Sequence, residues 1–376
     1  MEPRQGKNII ICLDGTGDQF REENTNVVKL FRILERHPQE QVAYYNPGVG
    51  TLGDPTLVRS WWLKLKIKYS LARSAAFGRG LTRILQQAYA YLMDQYEEGD
   101  RVFIFGFSRG AYTARGLAGF VHACGLLDKG CQNLIPYAMK LYKSPKIDFK
   151  ILAKFKSTYG RPCPVHFLGL WDSVSSFGWI FDPIFLPYTR NNKSVQAVRH
   201  ALAIDERRVF FSPLHWGDEQ QDGQDVKEVW FAGVHADIGG GYPEQESGLA
   251  KITLDWMIRE ACQDKFGLKI NERKYQRYVQ GADSDNAYIG PDDTAEAHES
   301  LKGLWWLVQY LPRRVWNYRA KCKQIIFPPR QRSIITGTTL HQSVLNRIER
   351  GGYQPANLPK LTQAEYRQQF IIEDEE

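Results

Sequence analysis

One serine of this sequence stands in a setting that is typical of an enzyme nucleophile. The motif GFSRG, residues 106–110, matches the pattern G-x-S-x-G, follows an apolar run and leads into a segment rich in small residues. In a nucleophile elbow, such glycines let the chain turn from strand to helix without colliding with neighbouring elements. The motif therefore predicts Ser108 as the nucleophile, with the N–H of Arg109 as an oxyanion donor at the helix N-terminus. The alternative is a glycine-rich turn that carries an incidental serine.

A serine hydroxyl becomes nucleophilic beside a general base, and that base needs a carboxylate to orient it. Two downstream positions meet this need. Asp172 follows the apolar run 165–170, and His235 follows the run 229–234 and precedes a glycine triplet. If both runs are strands of one parallel sheet, the two side chains lie at its carboxyl edge. The main rival base is His200, which lies in a stretch that we interpret as helical.

The loop after the first apolar run is the candidate for a second oxyanion donor. It has the sequence DGTG, residues 14–17, and a glycine-containing loop can bring backbone N–H groups close to a substrate. We expect the N–H of Gly15 or Thr16 to complete the oxyanion hole. Asp14 is expected to fix this loop by accepting backbone N–H bonds rather than to take part in chemistry.

A second hypothesis uses the same loops for metal-dependent phosphoester hydrolysis. Oxygen-rich ligand sets suit Mg²⁺ or Mn²⁺, and the candidate ligands are Asp14, Asp172, His235 and Asp237. No established metal-ligand spacing supports this set, so the sequence predicts a site without a metal or a cofactor. A third hypothesis is a non-catalytic module that keeps the fold and binds a membrane or a protein partner.

Short apolar runs that alternate with helical patterns would position these residues. The runs predicted as strands are 8–13, 101–107, 165–170 and 229–234, with a fifth near 41–45. Their hydrophobicity is continuous rather than alternating, which is typical of strands covered on both faces of a parallel sheet. Helical spacing recurs over residues 81–92 and 248–262. This order predicts an α/β-hydrolase-like fold, with a doubly wound, mostly parallel sheet, helices on both faces, and cap or lid insertions.

The length of 376 residues allows one large α/β domain with insertions. We predict a catalytic domain over residues 1–282, with insertions near 52–80 and 128–162, and a C-terminal extension over 283–376 that packs on the core. Both insertions are basic and fit the sheet pattern poorly, so we interpret them as cap or lid elements. Residues 304–319 mix aromatic rings with arginines, which suits either a membrane interface or a core helix with a basic edge.

Charge and composition restrict the partners and the compartment. The formal net charge of +7 and the pI near 8.9 are compatible with an anionic membrane surface, and no nucleic-acid-binding signature accompanies them. Six cysteines without a CxxC pair give no zinc signature and fit a reducing compartment. Because the sequence shows no signal peptide and no apolar run of about 18 residues, we expect a soluble cytoplasmic protein, exported if at all by another route.

Five motifs occur in an order that resembles a known family. They are LDGTGD (13–18), GFSRGAYTAR (106–115), GLWDSV (169–174), VRHALAIDERR (198–208) and FAGVHADIGGGY (231–242). Together they resemble the catalytic domain of bacterial type VI secretion phospholipase effectors, the first class of lipase effectors, over roughly residues 7–260. Effectors of this kind are often longer and carry extra membrane-contacting regions, whereas this chain has a short C-terminal extension.

The resemblance implies an α/β-hydrolase core, a Ser-Asp-His triad and ester hydrolysis on phospholipids, and it carries over most directly to Ser108. It also implies an immunity or secretion partner, while the oligomeric state stays open. The leading hypothesis is therefore a lipolytic serine ester hydrolase. Ser108 would attack the acyl carbonyl while His235 takes its proton and Asp172 holds the imidazolium, and water would then release the acyl group from the enzyme.

Overall fold

The structure of this protein is a computed structural model. It describes residues 6–15, 24–48, 64–144, 147–174, 178–179, 182–183, 185–217, 223–282, 287–301, 313–317, 322–326 and 331–374. Three expectations therefore lie outside the described residues. These are the oxyanion donor Thr16, the part of the first insertion that precedes residue 64, and most of the aromatic and basic segment 304–319.

The strands are numbered in chain order. They are β1 (Asn8–Leu13), β2 (Gln41–Asn46), β3 (Arg101–Phe107), β4 (Leu126–Leu127), β5 (Gly160–Arg161), β6 (Val165–Trp171), β7 (Gly178–Trp179), β8 (Asp182–Pro183), β9 (Val195–Ala203), β10 (Asp225–Phe231), β11 (Arg313–Asn317), β12 (Cys322–Ile326), β13 (Thr339–His341) and β14 (Ile371–Glu373). Eight of them form one sheet in the order β14-β13-β10-β9-β6-β3-β1-β2. Every neighbouring pair in it is parallel.

The helices are likewise numbered in chain order. They are α1 (Asn26–Ile33), α2 (Lys64–Gln95), α3 (Arg109–Cys124), α4 (Ile135–Tyr142), α5 (Phe149–Tyr159), α6 (His235–Gly239), α7 (Gly248–Cys262), α8 (Glu272–Tyr278), α9 (Gln342–Glu349) and α10 (Gln363–Gln369). The helical spacing at 81–92 falls within α2, and the helix expected over 248–262 is α7. Among the described residues, none of these helices is long and apolar enough to cross a bilayer.

Two hydrophobic layers cover the sheet, one on each face. Alternate residues of β1 point to different layers: Ile9 and Ile11 pack with α2 to α5, while Ile10 and Cys12 pack with α1 and α7. Both sets are fully buried, which explains why the strand is apolar without alternation. The predicted fold class, a doubly wound parallel sheet with helices on both faces, is thereby confirmed.

One predicted element is wrong. The sequence predicts a helix around His200, but this stretch forms β9, a central strand of the sheet. The sequence of this strand, VQAVRHALA, contains polar residues that interrupt its apolar pattern. Such residues argue against a buried strand, because buried charges are unusual unless they are paired. Arg199 is fully buried and binds the carboxylates of Glu260 and Asp225, and His200 is fully buried beside Glu228.

Residues after 282 contribute to the same sheet. β13 pairs with β10, and β14 pairs with β13. Apolar side chains of α9 and α10, such as Val344 and Tyr366, form a third cluster with Trp230 of β10. This part of the chain therefore contacts the edge of the sheet near the residues that follow β10.

Candidate active site

Ser108 lies at the sharp turn between β3 and α3. Its backbone has φ 58° and ψ −121°, a left-handed conformation that is costly for a residue with a side chain. Flanking glycines make the turn possible. A Cβ atom on Gly110 would lie 2.1 Å from the carbonyl oxygen of Leu13, and one on Gly106 would lie 2.6 Å from the carbonyl oxygen of Gly110. This local geometry is that of a nucleophile elbow.

The structure brings together the three residues singled out in the sequence. The Nε2 atom of His235 lies 2.7 Å from the Oγ atom of Ser108, and its Nδ1 atom lies 2.5 Å from the Oδ2 atom of Asp172. All three side chains are buried. Ser108 follows β3, Asp172 follows β6, and His235 begins α6 shortly after β10. Because these strands are parallel, the three residues meet at the carboxyl edge of the sheet.

This arrangement can move a proton. If Nδ1–H of His235 donates to Asp172, then Nε2 is the unprotonated nitrogen and can accept the hydroxyl proton of Ser108. The imidazolium formed in that transfer would stand beside a carboxylate. The two aromatic rings of Phe107 and Phe211 flank the imidazole, with ring centroids at 4.7 and 4.8 Å, and restrict its orientation.

Asp172 has a cationic partner, Arg332, that no motif of the sequence indicates. The guanidinium of Arg332 donates from Nη1 to Oδ1 at 2.6 Å and from Nη2 to Oδ2 at 2.9 Å, and the N–H of Ala203 donates to Oδ1 at 3.1 Å. Burial alone would raise the pKa of Asp172, but the charge of Arg332 and the bonds from His235 and Arg332 outweigh it. The pKa therefore lies well below its ordinary value, and the carboxylate stays ionised.

His200, the rival base, is used elsewhere. Its Nε2 atom accepts the backbone N–H of Ser173 at 3.1 Å, and its Nδ1 atom lies 2.7 Å from a carboxylate oxygen of Glu228. Burial lowers the pKa of His200 to about 4, so the ring is neutral at neutral pH. Since Ser173 follows Asp172 directly, His200 supports the turn that carries the acid.

The loop that carries His235 is held by two acids of the motif AIDERR. Glu206 accepts the backbone N–H of His235 at 3.2 Å, and Asp205 accepts the N–H of Gly233 at 2.7 Å. The motif alone assigns no role to either acid. Their position directly after β9 is the available signal, but the sequence pattern favours a helix over this strand.

Asp237 binds within the protein rather than facing the serine. Its Oδ2 atom accepts the N–H of Val234 at 3.0 Å, and its Oδ1 atom lies 2.7 Å from Nδ1 of His298. His298 also binds Glu246 at 3.0 Å and stacks on Tyr242 with ring centroids 3.6 Å apart. Asp237 thus ties the first turn of α6 to a residue that follows 282.

The oxyanion donors expected from the sequence are placed in part. Arg109 is the first residue of α3, so its N–H lies at the positive end of that helix. The N–H of Gly15 donates to Oδ1 of Asp14 at 2.8 Å, while Oδ2 of Asp14 accepts the hydroxyls of Thr25 and Tyr45. Asp14 therefore fixes its loop, and Gly15 would have to exchange its bond to Asp14 before it could donate to a substrate.

The four candidate metal ligands do not form a cluster. In the part of the chain that the structure describes, no group of three or more His, Cys, Asp or Glu side chains is arranged to hold a metal ion. The carboxylates of Asp14, Asp172 and Asp237 each accept bonds from protein donors instead. These three carboxylates are therefore better suited to fixing loops of the protein than to coordinating a divalent cation.

Comparison with known proteins identifies a family. The model of the family described as "T6SS, Phospholipase effector Tle1-like, catalytic domain" matches residues 7–260. An uncharacterized protein of Saccharomyces cerevisiae is 37% identical over 225 residues, which are 56% of this chain and 32% of that relative. The chain thus spans about a third of the length of this curated relative.

Two solved structures are similar over part of their length. An uncharacterized protein from Pseudomonas aeruginosa has a TM-score of 0.44 and 17% identity, covering 77% of this chain and 49% of that one. The Tle1 effector bound to the VgrG spike from the type 6 secretion system has a TM-score of 0.36 and 22% identity, covering 66% and 53%.

Proposed function

The chain belongs to the family of type VI secretion phospholipase effector Tle1-like catalytic domains, and on this premise we propose that it is a serine ester hydrolase acting on lipid esters. The observation that carries the proposal is the unbroken hydrogen-bonded series from Ser108 through His235 to Asp172. Membership of the family supports a lipolytic hydrolase in general terms. The serine mechanism and the residue roles are our proposal.

In the proposed mechanism, Oγ of Ser108 attacks the acyl carbonyl carbon while Nε2 of His235 takes the hydroxyl proton. The carbonyl oxygen becomes an oxyanion at the N-terminus of α3, where the N–H of Arg109 would stabilise it. When the intermediate collapses, the bond to the alcohol breaks and His235 returns the proton to the leaving oxygen. Water then attacks the acyl-enzyme while Nε2 of His235 takes a proton from it. The proton passes to Oγ of Ser108 as the acyl–oxygen bond breaks, which releases a carboxylic acid and free Ser108.

The metal-dependent phosphoesterase is the weaker alternative, because no group of three or more of its candidate ligands is arranged to hold a metal ion among the described residues. The carboxylates of Asp14, Asp172 and Asp237 accept hydrogen bonds from protein donors instead. The secretion or immunity partner implied by the resemblance stays a prediction. The cytoplasmic location, the division at residue 282, and a lid built from the first insertion also stay predictions.

The first test is labelling with a fluorophosphonate probe, which reacts with an activated serine. Wild type is compared with Ser108→Ala and with Ser157→Ala, a matched variant that removes an exposed hydroxyl from α5. We expect labelling of the wild type and of Ser157→Ala, and none of Ser108→Ala. A folded wild-type protein that resists labelling would favour the non-catalytic binding module.

The substrate class needs a separate test. Release of fatty acid from phospholipid vesicles is measured beside hydrolysis of a soluble phosphodiester, each with and without EDTA. We expect fatty acid release that persists in EDTA and disappears in Ser108→Ala. Phosphodiester hydrolysis that EDTA abolishes, and that Ser108→Ala retains, would favour the metal-dependent enzyme instead.

A further inference from the structure

Exposed apolar side chains concentrate on two helices of the second insertion. Of the six large hydrophobic residues that are exposed in the described part of the chain, four lie on α4 and α5: Tyr137 (52%), Phe149 (57%), Ile151 (46%) and Tyr159 (48%). Single exposed residues of this kind are ordinary, but a cluster marks a contact surface. We call the outer surface of these two helices the α4–α5 face.

The face is held rigidly to the core. Leu152 and Phe155 of α5 are buried in the layer that also contains α3, and Nζ of Lys156 donates to the carbonyl oxygen of His122 at 2.8 Å. The buried ring of Phe155 contacts Tyr137 at 5.8 Å and Tyr159 at 5.2 Å between centroids. Rings from two helices therefore lie side by side in a fixed arrangement.

Positive charge concentrates in the same place. Residues 128–161 hold eight Lys and Arg against two Asp, so they carry almost all of the formal net charge of +7. Lys150 and Lys154 are one helical turn apart and therefore project from the same side of α5. Both are exposed, as is Lys140 on α4, and none of the three forms an ion pair among the described residues. Unpaired like charges at this spacing are mutually unfavourable until an anion meets them.

We propose that the α4–α5 face docks on the surface of an anionic phospholipid bilayer. Interfacial membrane helices combine lysines with aromatic and aliphatic side chains, and each lysine near an anionic bilayer adds to the attraction. Protein–protein interfaces favour Arg over Lys among their cations and are depleted in Lys. The unpaired cations described here are all lysines, so a lipid surface fits this face better than an acidic protein does.

This docking does not depend on hydrolysis, and it can be measured without it. The full chain carrying Ser108→Ala is sedimented with vesicles of phosphatidylcholine alone, and with vesicles of phosphatidylcholine and phosphatidylglycerol in equal parts. We expect binding to the anionic vesicles and at least about tenfold weaker binding to the neutral ones. Absence of binding to the anionic vesicles would overturn the proposal, whatever the outcome of the serine labelling.

Matched variants locate the surface. Lys150→Glu with Lys154→Glu should weaken binding to anionic vesicles by at least about tenfold, and Phe149→Ser with Ile151→Ser by about fivefold or more. The control is Lys274→Glu with Lys360→Glu, which changes the net charge equally at two exposed lysines elsewhere. The control should bind as the parent protein does, and thermal unfolding verifies that each variant is folded.

Two other results would contradict the proposal. An equal loss in the control pair would mean that diffuse charge, rather than the α4–α5 face, drives the binding. Polyglutamate serves as the probe for an acidic protein partner. If the lysine variants lost binding to polyglutamate while keeping their affinity for anionic vesicles, the face would serve a protein instead of a membrane.

Discussion

Arg332 and Asp172 form a bidentate ion pair although they are 160 residues apart along the chain. The residues matched by the family model end at 260, so this cation comes from outside the matched segment. It binds both carboxylate oxygens of Asp172, including Oδ2, which also lies 2.5 Å from Nδ1 of His235. Arg332 also donates to the carbonyl oxygens of Ala203 and Phe211. One side chain therefore ties the acid to the ends of two other segments.

Replacing Arg332 by Gln should weaken both stability and catalysis. Breaking one side of a buried ion pair leaves an uncompensated charge, and we expect a loss of about 3 kcal/mol in the free energy of unfolding. The pKa of Asp172 should rise. Removal of a positive charge beside the Ser108–His235–Asp172 series also favours its protonated forms, so the acidic limb of the kcat/KM profile should move to higher pH. Denaturant unfolding and hydrolysis of a soluble ester across pH would measure the two effects.

The pH dependence of stability gives a further check on this pair. Because the folded-state pKa of Asp172 is depressed, its contribution is present above the unfolded pKa of about 3.9 and is lost as the pH falls below it. The difference between wild type and Arg332→Gln should therefore shrink in acid. Arg332→Lys keeps the positive charge but loses the two parallel N–H donors of the guanidinium, so its free energy of unfolding should lie between those of the wild type and Arg332→Gln. A Gln variant with an unchanged pH profile would contradict the positioning role.

Two histidines can be distinguished by their effects on serine labelling. His235→Gln removes the proposed base, so labelling of Ser108 by the fluorophosphonate probe should fall by orders of magnitude, about 10³-fold or more. His200→Gln removes a bond to the N–H of Ser173 and should cost about 1–3 kcal/mol of stability, with labelling reduced far less. The reverse ranking in folded variants would assign the base to His200.

Substitution of a glycine at the elbow should be far more damaging than one at an open turn. A methyl group on Gly110 would meet the carbonyl oxygens of Leu13 and Asp14, which are backbone atoms that cannot rotate away. We expect Gly110→Ala to cost more than about 3 kcal/mol and to abolish serine labelling. Gly130→Ala is the control, because its Cβ would contact nothing and only its φ of 92° is unfavourable. It should cost about 1 kcal/mol, and equal losses would refute the steric argument.

His298 should stabilise the protein more in weak acid than in base. Burial disfavours its imidazolium, but the carboxylates of Glu246 and Asp237 outweigh this and raise the pKa of His298. A raised pKa gives stability that is fully present below the unfolded value of about 6.5 and is lost as the pH rises through the folded value. The Tm difference between wild type and His298→Gln should therefore be larger at pH 6 than at pH 9. A difference that does not vary with pH would show that the charge is irrelevant.

Local patterns in the sequence were sufficient for much of the sheet and for the contacts of Ser108. The strands before Ser108 and Asp172 are continuous apolar runs, and their parallel order forces the following residues to one edge. β9 was misinterpreted because Arg199 and His200 interrupt its apolar pattern. The charge of Arg199 is neutralised by carboxylates on β10 and α7, and the neutral ring of His200 bonds to Glu228 on β10. Such pairing depends on tertiary contacts that a local pattern does not record.

Arg332 is a second residue whose role depends on tertiary contacts rather than on a local sequence pattern. It lies between two short segments without a motif, and no spacing relates it to Asp172. The strands that follow it, β13 and β14, join the sheet beside β10, and each of them has only three residues. Strands this short have no measurable periodicity. The cation beside the acid could therefore be found from the three-dimensional arrangement but not from the sequence pattern.

The late position of Arg332 bears on when activity could begin during synthesis. A ribosome that has added residues up to 282 has already made the nucleophile, the base and the acid. The guanidinium that neutralises the buried carboxylate has not yet been made, and the edge strands β13 and β14 are also missing. The acid of a chain that ends at residue 282 would therefore lack its cationic partner, so the complete pairing around Asp172 would arise only after the C-terminal strands are made.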